Sequence, residues 1–574
     1  MNKSTSDSGK YIHKTTIVNR AQKNIKTWMR QEADIENVSH CRALIIDGNQ
    51  TSRSILAGML VQIGMRNIDQ CIRLSDARKE LESRKFDFIF CDYYFSNSSM
   101  TGQDLLEDLR RRHILRYSTV FIMLSSEASY QKVAEVVESA VDSYLLRPYS
   151  IAALQDRILR IYRSKKVMAP IFSAIELGDF ELAAGICLQR FKRRDPYWLY
   201  AARIGAEVQI RLGRHNEARE LYEAVQKSEA LPWAKLGIAR VQIEEGQYPA
   251  AKRTLESLIG EQPTYIDAYD VMARYQIDKG DFQGAMLTYK NSTQMTPFDI
   301  IRLQKNGFLA FLMGNIDVAT DMLEKAVRTG IRSKLFDCQV LVFLCIIYFS
   351  RQDDKLFLRA YSSMEAFYEK SPNSARLCRF YAICKFLKLL INKKISEAIT
   401  KIREMSSEIL VENFDFEASI NLTATLAQFS QAEITLEESN TWVSVLAHRF
   451  CTSRVSTEML CMAASNHTNF INLIQESQKY ISKEVEVAIS HSLVGSYLTT
   501  IKALMVISSQ TKNAKVIQLA SKFLQRHHDE IQNVGSLIEI INDLQRRYCH
   551  QGVQCGVGAA TSRPAGGVHL RTSS

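Results

Sequence analysis

The stretch FDFIFCD, residues 86–92, is an apolar run that stops on an aspartate. Outward from it, similar runs stand at Ala43–Ile46 (ALII), Val120–Leu124 (VFIML) and Tyr144–Leu146 (YLL), with a weaker one near Ile68–Ile72. Each is short and rich in β-branched or aromatic residues, which suits a strand. Their apolar residues run on without polar alternation, so burial on both faces is expected. Helical patterns fill the gaps at Ser52–Gln62, Ser75–Arg84, Gly102–Arg112, Tyr130–Ala140 and Ile151–Arg163. Strand and helix alternate five times between residues 41 and 165. That predicts an α/β domain with a doubly wound sheet of five parallel strands.

In such a sheet the functional crevice lies at the carboxyl ends of the strands. Asp47 follows the first strand, Asp92 the third, Ser125 and Ser126 the fourth, and Arg147-Pro148 the fifth. A lone aspartate after a strand is ordinarily a turn or capping residue. Asp92 gains meaning from its register with the others. Two carboxylates, a hydroxyl and a cation would share one crevice. That set suits the acceptance of a phosphoryl group: a carboxylate is the nucleophile, hard oxygen ligands hold Mg²⁺, and the cation and hydroxyl contact phosphoryl oxygens.

The stretches ALIIDGNQTSR (43–53), FDFIFCDYYF (86–95) with MTGQDLL (100–106), VFIMLSSEAS (120–129) and YLLRPYS (144–150) resemble the CheY-like receiver domains of response regulators. The resemblance implies that Asp92 is the phosphoacceptor. It implies Mg²⁺ held by Asp47, Asp92 and the backbone carbonyl of Tyr94. Ser125 would be the switch hydroxyl and Tyr144 the switch aromatic. Arg147 stands where the family has a phosphate-contacting lysine, and that exchange is not conservative at a fitted site. Two further departures concern the pocket. Gly48 follows Asp47 where the family has a second acid that binds the metal, so the Mg²⁺ site is expected to be weakened. The loop after Asp92 lacks the usual proline and is longer by about two residues on the same comparison.

Beyond residue 165 the chain reads as helical, and a period emerges. Glycines stand at 178, 213, 246, 280 and 314, spaced by 35, 33, 34 and 34 residues. Five residues after each is an alanine: Ala183, Ala218, Ala251, Ala285 and Ala319. Two after is usually a ring (Phe180, His215, Tyr248, Phe282), with Ile316 the exception; His215 reads as packing rather than as a ligand. Nine after is mostly large (Tyr222, Leu255, Tyr289, Leu323), with Cys187 in the first unit. Seven before is small: Ala206, Ala239, Ala273 and Gly307. Glycine suits the turn between paired helices, small residues let the helices approach, and large ones fill the groove to the next unit. Pro196, Pro232, Pro263 and Pro297 are expected to begin the following helices. The pattern resembles the tetratricopeptide repeat over residues 166–330, an all-α solenoid.

From 331 to 548 the period fades while helical patterns persist, as in Arg376–Ile391 and Ala488–Val506; INKKISEAI with Ala398 looks like a degraded repeat turn. Diverged repeats are expected here. The apolar run Val340–Phe349 (VLVFLCIIYF) is too short to span a membrane and reads as a buried helix. Residues 1–40 form a polar leader, with a short amphipathic helix expected at Asn19–Ala33 and no secretory pattern. The tail 549–574 is rich in glycine and small residues and is expected to be disordered. The twelve cysteines carry no zinc spacing and fit a reducing, cytoplasmic compartment. The net charge of +11 is mild for this length and shows no long basic block.

The order of parts resembles bacterial response regulators carrying tetratricopeptide repeats, the VieB-like auxiliary type among them. That resemblance implies two-component signalling: a partner histidine kinase, a second signalling protein bound through the repeat groove, and a homodimer through the receiver's fourth and fifth helices. No phosphate loop, kinase box or nucleophile elbow is found, so no enzyme is expected. The alternative is a transcription regulator with an unrecognised DNA-binding segment, although no basic recognition helix stands out and nucleic acid is not the expected partner.

Overall fold

The computed structural model describes residues 37–95, 101–112, 114–126, 142–331, 333, 335–431, 436–464, 467–531 and 534–549. The helices expected at Asn19–Ala33 and Tyr130–Ala140 and the tail from Gln551 lie outside them. The chain divides into two compact units, one ending at Gln247 and one beginning at Tyr248.

The first unit opens with five strands: β1 (Arg42–Ile46), β2 (Asn67–Cys71), β3 (Phe88–Asp92), β4 (Val120–Ser125) and β5 (Ser143–Leu146). They form one parallel sheet in the order β2-β1-β3-β4-β5. β3 and β4 are buried along almost their whole length because helices cover both sheet faces. On one face Ala43, Ile45, Phe88 and Phe90 meet Leu56 and Leu60 of the helix Gln50–Ile63 and Leu154, Ile158 and Tyr162 of the helix Ile151–Glu176. On the other, Leu44, Ile46, Ile89 and Cys91 meet the helices Leu74–Ser83 and Gly102–Arg111. The order reverses between β1 and β3, so a crevice opens at their carboxyl ends.

The boundary expected at residue 165 falls inside one continuous helix, Ile151–Glu176. Its first half packs on the sheet; Met168, Ile171, Phe172 and Ile175 in its second half pack on the first repeat helices. One helix therefore closes the receiver-like domain and opens the helical array.

In both units the repeat turns follow one design. Gly178, Gly213, Gly246, Gly280 and Gly314 all take positive φ, between 73° and 76°. At Gly178 the N–H reaches the Ile175 carbonyl, and Asp179 N–H reaches Ala174, which closes the helix C-terminus. The residues two after each glycine begin the second helix of each pair, at Phe180, His215, Tyr248, Phe282 and Ile316. The alanines five after are fully buried. Gly307 shows why the position seven before the turn is small: a Cβ there would lie 2.5 Å from Leu323 Cδ2. The prolines behave differently from expectation. Only Pro232 begins a helix, while Pro196, Pro263 and Pro297 lie in the connecting turns.

Beyond Gly314 in the second unit the turn design continues, in two places without glycine. Gln352 and Lys393 take φ of 57° and 58°, and Gly495 takes 76°. The turn expected at INKKISEAI is thus present, with Ala398 fully buried. The unit is nevertheless more than a linear stack. The helix Gln339–Ser350 is buried on every side from Gln339 to Tyr348, and the helix Phe416–Gln431 packs against it. A helix that is apolar all round belongs in a core. No helix among the described residues is long and apolar enough to cross a membrane.

Candidate functional site

The ends of β1, β3, β4 and β5 bring together four of the side chains expected there. Asp47 follows β1 and is 1% exposed, while Asp92 ends β3 with its side chain 15% exposed. Arg147, just past β5, spans the two. Its Nη2 donates to Asp47 Oδ2 at 2.5 Å, and its Nη1 lies 3.4 Å from Asp92 Oδ1. Its backbone N–H donates to the Ser125 carbonyl at 2.8 Å, which fixes where the side chain starts. Asp47 Oδ1 accepts the Asn49 N–H at 2.7 Å, and Asp92 Oδ1 accepts the Tyr93 N–H at 3.0 Å. Among the described residues, Asp92 Oδ2 has no partner. The phosphoacceptor candidate thus keeps one oxygen free at the crevice mouth.

The charges are strongly coupled. Burial pushes the Asp92 carboxyl up; Arg147 opposes this and Asp47 adds to it. Burial works against the charge on Arg147, but Asp92 and Asp47 outweigh it and hold the guanidinium above its ordinary value. Burial likewise raises Tyr149, opposed by the nearby Arg147 charge.

Ser125 ends β4 beside this cluster and is 1% exposed. Tyr144 of β5 is half-buried against the core that covers the Leu105 and Leu106 face of the sheet. Tyr94 lies on the loop leaving β3 with 44% exposure, its ring centroid 4.7 Å from that of Tyr93. Gly48 is exposed at the rim.

Two contributors escaped the sequence reading. Arg53 is buried in the helix Gln50–Ile63 and donates from Nη1 to the Asp47 carbonyl at 2.6 Å. Its signal was present: Arg53 shares the apolar stripe of Leu56 and Leu60. Gly102 begins the helix after β3, where a Cβ would stand 2.3 Å from the Asp92 carbonyl. A side chain there would displace the strand end that carries Asp92.

The donor set is only part of a divalent-cation site. Asp47 and Asp92 supply two carboxylates, Gly48 supplies none, and no group of three metal-ligating side chains occurs among the described residues. Hard divalent ions take six or more oxygen ligands. The gap between the two carboxylates is bridged by Arg147.

The comparisons agree with this geometry. Residues 43–159 match the response regulator receiver domain family, and residues 209–275 match a tetratricopeptide repeat family. The chain is 27% identical over 121 residues to chemotaxis protein CheY-3 of Vibrio cholerae serotype O1, covering 21% of this chain and 91% of that protein. It is 29% identical over 121 residues to chemotaxis protein CheY of Pseudomonas aeruginosa, covering 21% of this chain and 95% of that protein. A solved tetratricopeptide protein of Thermus thermophilus is similar at 20% identity, covering 32% of this chain and 96% of that one, with a TM-score of 0.24. The chain thus has a receiver-type fold in its first part, followed by a long helical region with tetratricopeptide similarity.

Proposed function

We propose that this chain is a cytoplasmic response regulator whose output is protein binding, and that Asp92 accepts a phosphoryl group slowly from a partner histidine kinase. The observation that carries the reading is the free Oδ2 of Asp92 at the end of β3, with Arg147 beside its other oxygen. In the transfer, Asp92 Oδ2 attacks phosphorus, the bond from phosphorus to the donor atom breaks, and the donor leaves with that electron pair. An acyl phosphate remains on Asp92. On this reading the Arg147 guanidinium and the Ser125 hydroxyl would meet the added oxygens. The chain is no enzyme on this reading, since its only chemistry is loading and loss of that phosphoryl group.

The repeats supply the output. Tetratricopeptide-type helices present side chains in a groove suited to a peptide or helix. The bound protein is then a second signalling protein, as in the VieB-like auxiliary type, and binding changes the flow of phosphate between kinase and regulator. The departures at Gly48 and Arg147 suit a modulator more than a fast switch.

Acetyl phosphate with intact-mass detection tests the reading, with Asp92→Ala alongside. The expected result is gain of one phosphoryl group in the parent protein and none in Asp92→Ala. No adduct under prolonged exposure, with the protein folded, would sink the phosphoacceptor assignment and leave a receiver-shaped docking domain.

A further inference from the structure

Two carboxylates close together across a crevice repel each other, and either a proton on one of them or a cation between them relieves the repulsion. In most hard-oxygen sites that cation comes from solvent. Here the chain provides its own. Among the described residues Arg147 is the one that ion-pairs with both acids, hydrogen-bonded to Asp47 Oδ2 at 2.5 Å and 3.4 Å from Asp92 Oδ1. Its planar fork matches two carboxylates at once, which a lysine ammonium at the same position would not do. The backbone holds it there, with its N–H donating to the Ser125 carbonyl at 2.8 Å.

The position that would complete a metal site is vacant of chemistry but not of space. Gly48 is outside the left-handed φ region, and a Cβ built there would meet only Phe95 Cδ1, at 3.8 Å. Sterics therefore do not forbid an acid at 48. The glycine and the arginine are complementary: one removes a carboxylate from the crevice, and the other supplies a fixed positive charge to those that remain. Arg53 adds a second constraint, since its bond to the Asp47 carbonyl holds the strand end in place without touching either carboxylate.

We propose that Arg147 is the built-in cation of this acidic crevice and that it excludes a divalent ion from the space between Asp47 and Asp92. The inference deepens the phosphoacceptor reading of the same site. It concerns ion binding in the resting protein, so it stands or falls whether or not Asp92 accepts phosphate.

The test is Mn²⁺ binding to the full chain with no phosphodonor, read from the free-ion signal in electron paramagnetic resonance. Parent protein, Arg147→Gln, Gly48→Asp and Gly48→Asp/Arg147→Gln are compared, each with an Asp92→Asn partner to identify the site. The parent is expected to show no saturable binding that depends on Asp92. Removing Arg147 is expected to create such binding, and the double variant should bind at least tenfold more tightly than Gly48→Asp alone. In thermal melts, Mg²⁺ should raise the midpoint of Arg147→Gln and leave that of the parent unchanged. Should Arg147→Gln fail to fold, Arg147→Lys keeps the charge while releasing one carboxylate, and it should bind Mn²⁺ more tightly than the parent. Asp92-dependent binding in the parent protein would overturn the proposal. So would equal affinity of Gly48→Asp with and without Arg147, which would make the missing acid the sole cause.

Discussion

Arg147 and Arg376 each hold a guanidinium between two carboxylates, in different units and to different ends. Arg376 donates from Nη2 to Asp337 at 2.8 Å and from Nε and Nη2 to Glu417 at 2.7 Å each. Both oxygens of Glu417 are thereby engaged, and Glu417 lies in a helix buried continuously from Phe416 to Ala427. Asp92, by contrast, gives one oxygen to its arginine and keeps the other open. An arginine between two carboxylates thus makes a packing element in one place and an open crevice in the other. What differs is whether an oxygen is left over and whether a reagent can reach it.

The largest expected effect comes from breaking the closed version. Arg376→Leu leaves the Glu417 carboxylate buried without its partner. A fully buried pair broken in this way costs about 3–5 kcal/mol. Arg376 itself is 41% exposed, so a loss of about 2–3 kcal/mol at neutral pH is the expectation after allowing for screening. The pH dependence identifies the cause. Burial, opposed by Arg376, pushes the Glu417 carboxyl up to about 7. Its folded value is above its unfolded value, so its stabilising contribution is complete below about 4.5. That contribution is lost as pH rises to about 7. The penalty of Arg376→Leu should accordingly be small at pH 4.5 and grow toward pH 8, measured by denaturant unfolding. A penalty independent of pH would mean that lost side-chain packing, not the stranded carboxylate, is responsible.

A second comparison lies within the first unit, between the two ends of β4 and β5. At the carboxyl ends stand Ser125 and Arg147. At the opposite end, Lys165 Nζ pairs with Asp142 at 2.8 Å and donates to the Tyr117 carbonyl at 2.7 Å. Asp142 accepts the Phe121 N–H at 2.8 Å, and Glu176 accepts the Tyr117 N–H at 3.0 Å. The Tyr117 ring stacks on Phe172, with centroids 6.0 Å apart. The receiver domain is thereby bolted to the helix that begins the repeats. Lys165→Met removes both bonds while keeping the apolar stem, at an expected cost of about 1–3 kcal/mol. Hydrogen exchange should quicken at residues 114–119 and 165–176, while phosphoryl uptake at Asp92 stays at the parent level. Unchanged exchange there would show that the Tyr117–Phe172 contact suffices without the lysine.

The receiver half was readable in the sequence because its strands are buried on both faces, and burial leaves unbroken apolar runs. FIFC in β3 and VFIML in β4 are such runs, and Asp92 was legible as the residue that ends one of them. β2 was harder to read: its sequence NIDQC lies at the sheet edge with only Cys71 buried. Arg147 could be placed at the crevice, but its double attachment could not. That depends on the distance between two strand ends, which no one-dimensional pattern carries. The division at residue 165 lies where the helix changes cores, between Tyr162 and Met168, but no break in the helix marks it. A helix that serves two cores in succession has no break in its pattern, and even Pro170 lies inside it.

The repeat turns were legible only where the backbone's demand and the residue coincide. Gly314 and Gln352 close their helices in the same way. Gly314 N–H reaches the Phe311 carbonyl at 3.1 Å, and Gln352 N–H reaches Phe349 at 3.1 Å. The following residues, Asn315 and Asp353, reach back to Ala310 and Tyr348 at 2.9 and 3.0 Å. The φ angles are 75° and 57°. A left-handed conformation costs a residue with a Cβ about 1–2 kcal/mol, and glycine is spared that cost. Glycine also loses more freedom on folding, which offsets part of the gain. Gln352→Gly is therefore expected to stabilise the second unit by about 0.5–1 kcal/mol, and Lys393→Gly by a similar amount, since both side chains are exposed. Gly314→Gln should move stability the opposite way by a like amount. Chemical denaturation midpoints of the three variants at equal slope check the set. Stabilisation by Gln352→Gly together with destabilisation by Gly314→Gln would show that the period continues in the backbone after it has vanished from the sequence. A destabilised Gln352→Gly would instead mean that the glutamine side chain contributes a contact that outweighs its strain.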